Sequence, residues 1–142
     1  MKNIFVLFFL FWSGLMSNLS GCATAGAQDK VYHTLEILVD KSVGKAFNIK
    51  YTYGEEFIDY IKPSAGSVTP FSSYTAPMRI PDEFKISWET QDRQKHEARV
   101  PVLSKLPDSV KNQTILFVIM PDHVEGFVAV STPSGPRKTR FY

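Results

Sequence analysis

Residues Val31–Asp40, VYHTLEILVD, place Val31, His33, Leu35, Ile37 and Val39 on one side and Tyr32, Thr34, Glu36 and Asp40 on the other. A period of two is the signature of a strand buried on one face, because successive side chains of an extended chain point to opposite sides. Leu38 is the one apolar residue out of phase. Lys41–Gly44 supplies a turn. Phe47, Ile49, Tyr51 and Tyr53 then alternate with Asn48, Lys50 and Thr52 up to Gly54. The two runs predict a hairpin.

Outward from there the chain keeps reading as strands. Phe84, Ile86 and Trp88 alternate with Lys85, Ser87 and Glu89. After polar Gln91–Gln94, His96, Ala98, Val100 and Val102 alternate with Lys95, Glu97 and Arg99, which predicts a second hairpin. Ile115–Met120, ILFVIM, is continuously apolar between Gln113-Thr114 and Pro121-Asp122, as in a central strand buried on both faces. Val124–Ser131 is a further strand, Pro133–Pro136 a turn, and Thr139–Tyr142 a final edge strand. Glu55–Ile61 fits a helical turn or a short strand, and Leu103–Gln113 a short helix or a loop. All nine prolines lie beyond Ile61, and Pro63–Pro81 holds four of them. Proline donates no ladder hydrogen bond, so this stretch reads as a long loop or interrupted edge strands. The expected fold is mainly β: a small antiparallel β-sandwich of about seven strands.

The N-terminus is different. Ile4–Trp12, IFVLFFLFW, is nine apolar residues following Lys2, and it holds five of the chain's 19 aromatics. A positive start, a short apolar core and small residues before a cut describe a secretory signal peptide. A membrane-spanning helix needs about 20 apolar residues, roughly twice this run. Leu19-Ser20-Gly21-Cys22 resembles the lipobox of bacterial lipoproteins. The resemblance implies that the Cys22 sulfur receives a diacylglycerol and that the chain is cut before it. Several acyl chains anchor a protein stably where one holds it only marginally. Ala23 follows, where an aspartate would resemble an inner-membrane retention signal, so the expected site is the outer membrane, facing the periplasm, rather than the inner membrane. The division is residues 1–21 as signal, 22–30 as acylated tether and 31–142 as one β-rich domain.

The whole chain has 142 residues, 44% apolar and 21% charged, with 16 Lys and Arg against 14 Asp and Glu. The near-balance leaves no basic stripe for a nucleic-acid backbone. A single cysteine excludes an internal disulfide and a multi-cysteine metal site. His33, His96 and His123 have no second ligand at metal spacing, and no nucleophile elbow, phosphate loop or dinucleotide fingerprint is present. Neither metal nor cofactor is expected. Glu55-Glu56, the one adjacent acidic pair, would point to opposite faces of a strand. Ser87, Glu89 and His96 come nearest to a catalytic set, since hairpin pairing would bring their strands together. No catalytic residue is assigned, and the expectation is a protein that is not an enzyme.

The distinctive segment is Ser87–Val102, SWETQDRQKHEARVPV. Its turn is charged and stands beside aromatic residues, a combination suited to protein recognition, where charge steers approach and aromatics anchor. Glu89, Asp92, Arg93, Lys95 and His96 are the candidate partner-binding residues. Arg137, Lys138 and Arg140 with Phe141 and Tyr142 form a small basic-aromatic tail.

The acylated precursor, the P-x-x-F-x-I-S-W stretch from Pro81 to Trp88, the charged turn, His96–Pro101 and the apolar hairpin from Ile115 to Val130 together resemble short bacterial lipoproteins. Some of these are immunity proteins for type VI secretion effectors, particularly phospholipases. The resemblance implies a periplasmic protein that binds a toxic enzyme and blocks it. Blocking needs only a complementary surface, about 800 Å² per partner. The alternative is an accessory subunit of an envelope machine, such as the transthyretin-like lipoprotein of the type VI secretion membrane complex.

Overall fold

A computed structural model describes residues 29–54, 58–61 and 71–142. The predicted signal peptide, Cys22, the tether through residue 28, the Glu55-Glu56 pair, Pro63 and Pro70 lie outside them. The described residues form nine strands: β1 (Val31–Val39), β2 (Ala46–Tyr53), β3 (Ile58–Ile61), β4 (Phe71–Met78), β5 (Glu83–Thr90), β6 (Lys95–Pro101), β7 (Thr114–Ile119), β8 (Val124–Thr132) and β9 (Gly135–Arg140). They make two sheets, one in the order β4-β1-β7-β8-β9 and the other in the order β3-β2-β5-β6. None of the described helical segments is long and apolar enough to cross a membrane.

The chain is mainly β, as its alternation implies, but two parts of the expected architecture are corrected. There are nine strands rather than about seven, and β1 and β7 pair in parallel, Leu35 beside Ile115 and Val39 beside Ile119, so the fold is not purely antiparallel. The expected hairpin of β1 with β2 does not form. Both edges of β1 are taken, by β4 and by β7, and β2 belongs to the other sheet. The connection explains the crossing. Asp40 caps a 3-10 turn at Lys41–Val43 by accepting from the Ser42 amide, and Gly44 closes it at a positive φ of 71°. That geometry carries the chain from one sheet to the next, whereas a hairpin needs a tight primed turn.

The β1 faces fall as the alternation implies, with His33, Leu35, Ile37 and Val39 buried. In β2 the pattern slips. Asn48 takes a left-handed φ of 51°, and the pairing with β5 shifts between Phe47 and Lys50. The extra residue of such a bulge inverts the side-chain phase before it. Ala46 therefore enters the core, and Phe47, expected inside, is 39% exposed.

Elsewhere the reading holds. β5 and β6 form the expected hairpin, and β7 is a central strand with Ile115, Leu116, Phe117 and Ile119 buried. β4 is an edge strand, which accommodates Pro77 opposite Tyr32. The last strand starts earlier than expected, at Gly135, and takes Pro136 on the outer edge of its sheet. Residues 103–113 are irregular, with Val110 turned into the core.

One apolar core receives residues from both sheets. At its centre Phe84 of β5 stacks on Phe117 of β7, ring centroids 3.9 Å apart and planes within 6°. Phe141 meets Phe117 edge-on and lies over Gly126. A Cβ at Gly126 would come within 2.7 Å of the Phe141 ring. Gly126→Ala is therefore expected to displace that ring and cost about 1–3 kcal/mol. The cost should shrink when Phe141 is already alanine, as a double-mutant cycle in urea would show.

Candidate functional site

The sequence-predicted residues occupy one end of the molecule. Glu89 lies one residue before the end of β5, Asp92 and Arg93 form the turn, and Lys95 and His96 open β6. The register pairs Glu89 with Lys95 and Trp88 with His96. The turn is built by Thr90. Its amide donates to the Gln94 carbonyl, its carbonyl accepts from the Arg93 amide, and its hydroxyl donates to Asp92. The Thr90 hydroxyl first, and then the backbone amides of Gln94 and Asp92, hold the Asp92 carboxyl below its ordinary range. Asn48, placed by the bulge in β2, donates to Glu89 at 3.0 Å. A cleft of ≈ 510 Å³ runs past Asn48, Lys50, Ser87, Glu89, Lys95 and His96.

The alternation of β5 separates the nearest catalytic set. His96 shares a face with Trp88, on which its ring stacks at 5.1 Å, whereas Ser87 and Glu89 point to the other side. A serine proton therefore has no path to the imidazole through direct contact. Among the described residues no three His, Cys, Asp or Glu side chains are grouped to hold a metal ion.

Two neighbours of this end were not singled out from sequence. Ala46 pairs with Thr90, which sets the Lys41–Gly44 turn against the β5–β6 turn. The Asp40 amide donates to the Ile119 carbonyl, which brings in the β7–β8 turn with Asp122 and His123. His123 Nδ1 lies 2.7 Å from Asp122, and the imidazole helps hold that carboxyl below its ordinary range. His96 acts through space on both Asp92 and Asp122. Three turns distant in sequence thus form one charged surface. Only the sheet order, which local alternation does not carry, could have grouped them.

The other polar feature lies in the core. His33 of β1 is fully buried. Its Nδ1 is 2.7 Å from the Val31 carbonyl, which can only accept, so Nδ1 carries the proton. Nε2 then accepts from the Tyr53 hydroxyl of β2 at 3.0 Å, across the gap between the sheets. Burial pushes the imidazole pKa down and the phenol pKa up, so both groups are neutral at pH 7. A phenol held protonated is a poor nucleophile, and the pair works as a polar tie between the sheets. Tyr53 also borders a cavity of ≈ 1190 Å³ at the opposite end of the strands, with Arg79, Pro81, Lys85 and Arg99.

No family model, no curated protein and no solved structure matches this chain.

Proposed function

We propose that the two sheets form a β-sandwich carried on a lipid at Cys22, a periplasm-facing binding protein of the outer membrane, and that it acts as an immunity protein against a toxic enzyme of the type VI phospholipase kind. The observation that supports this reading is the convergence of Glu89, Asp92, Arg93, Lys95 and His96 with Asp122 and His123 and with the Lys41–Gly44 turn, three adjoining turns above one packed core. Turns on a rigid sheet scaffold are well suited to binding, because the ladders fix them while their side chains stay free to make contacts.

Polarity along the molecule supports it further. The tether enters at Val31, and the nine residues of β1 carry the chain about 30 Å to the Asp40 end at 3.3 Å per residue. A lipid at Cys22 would hold the Val31 end near the membrane and leave the charged turns facing the periplasm. Two outcomes test the reading. Cys22→Ser is expected to move the protein from the membrane fraction to the soluble periplasmic fraction, since no other anchor is invoked. A deletion strain is expected to be killed by contact with toxin-bearing siblings and rescued by the full chain. Survival of the deletion strain would remove the immunity reading.

A further inference from the structure

At the charged end the carboxylates Asp40, Glu89, Asp92 and Asp122 and the cations Lys41, Lys45, Arg93 and Lys95 are used differently. Every carboxylate is engaged within the chain. Asp40 accepts from the Ser42 amide at 2.8 Å and its hydroxyl at 2.6 Å, Glu89 from Asn48 at 3.0 Å, and Asp92 from Thr90, while Asp122 lies against His123. Lys45, Arg93 and Lys95 make no side-chain hydrogen bond or ion pair among the described residues, and Lys41 acts on Asp40 only through space. Lys45, Arg93 and Lys95 thus keep charged donors that no group of the described chain uses.

Arg93 adds a second, independent observation. Its φ is 65°, in the left-handed region. The other two non-glycine residues there among the described ones are Asn48 and Asn112, whose short amides tolerate that conformation. Arginine has no such excuse, and glycine would fit the turn without strain. Backbone strain at an exposed tip is the kind of outlier that accompanies a contact made by the side chain.

We propose that this end seats an acidic face of a protein partner, with the Arg93 guanidinium as the fork for a partner carboxylate and Lys45 and Lys95 flanking it. The inference rests on the reading of these turns as the binding end and specifies the chemistry of what they bind. Guanidinium binds carboxylate through two parallel hydrogen bonds, a geometry the compact ammonium of lysine cannot reproduce.

The test uses the full chain in a non-ionic detergent and a deca-glutamate peptide as the probe. Backbone amide shifts are followed by NMR during titration at low salt and again at high salt. The expected result is saturable shifts centred on residues 44–46 and 91–96, suppressed by salt. Arg93→Gly should weaken the apparent affinity about tenfold, with a thermal midpoint no lower than the parent's. Equal titration of Arg93→Gly and the parent would overturn the inference. So would shifts centred on Arg137 and Lys138 of β9, or turn shifts produced by phosphatidylglycerol vesicles but not by the peptide. A positive titration together with a deletion strain that survives toxin would leave the acidic-face inference standing and remove the immunity reading, so the two failures are distinguishable.

Discussion

Phe84→Ala is expected to lower the unfolding free energy by about 3–5 kcal/mol, the range for deleting a buried aromatic ring. Phe84 and Phe117 are both fully buried, and their stacked rings come one from each sheet. Phe84 also meets Tyr51 and Tyr53, at 6.0 and 6.5 Å between ring centroids. The cavity would be walled by strands already fixed in hydrogen-bonded ladders, so it has little freedom to collapse, and the cost should fall near the upper end. Phe84→Leu keeps most of the volume and should cost markedly less. The pair should also be coupled: Phe84→Ala with Phe117→Ala should depart from additivity by about 0.5–3 kcal/mol. Urea unfolding checks each value, with an unchanged slope as the sign that only stability has moved. A loss below about 1 kcal/mol for Phe84→Ala would mean that the sheets are not held together through this pair.

Acidification is expected to weaken the fold through His33. Burial depresses its pKa in the folded state below the ordinary 6.5, so between those two values the unfolded chain binds a proton that the folded chain refuses. The contribution is fully present above pH 6.5 and is lost as the pH falls from there towards the folded pKa. No nearby charge offsets this, since the shift comes from burial, opposed only by the bond to the Val31 carbonyl. One titrating proton limits the slope to about 1.4 kcal/mol per pH unit. The window is separable from that of Asp40, Asp92 and Asp122, whose carboxyls are held below 3.8. Urea midpoints taken from pH 7.5 down to 5 should therefore fall for the parent and stay nearly flat for His33→Gln. A parent curve as flat as the variant's would show that His33 does not titrate with unfolding. Tyr53→Phe should cost about 1–3 kcal/mol at pH 7, because it strands a buried acceptor at Nε2.

Much of this structure is legible locally. The β1 faces, the β5–β6 hairpin and the central position of β7 follow from side-chain periodicity, which is imposed by burial and needs no knowledge of partners. What escapes is set by distant residues. Periodicity in β1 shows that it has a buried face but not which strands flank it, so a hairpin with β2 looked natural although both its edges belong to β4 and β7. The bulge at Asn48 escapes because Phe47, Ile49, Tyr51 and Tyr53 alternate perfectly in sequence, while the backbone inserts one residue against β5. At the charged end, Glu89 to His96 stand out because charge and aromatic residues are adjacent in the chain. Asp122 and His123 join them through the Asp40–Ile119 contact, which no local pattern announces. His33 sat visibly on an apolar face, but its partner Tyr53 lies 20 residues away in the other sheet.

The parallel pairing of β1 with β7 also orders events in time. β1 is the first of the described strands to leave the ribosome, yet its ladder to β7 waits for residues 114–119. Contacts that close so long a loop form late and slow the folding of the whole chain. Until then β1 presents an open, largely apolar edge, while the β5–β6 hairpin, closed by a four-residue turn, can assemble by itself. A nascent chain ending before β7 should therefore be unable to complete its larger sheet. For a protein exported as this one is proposed to be, that delay is useful, because a chain that cannot finish folding early remains threadable through a secretion channel.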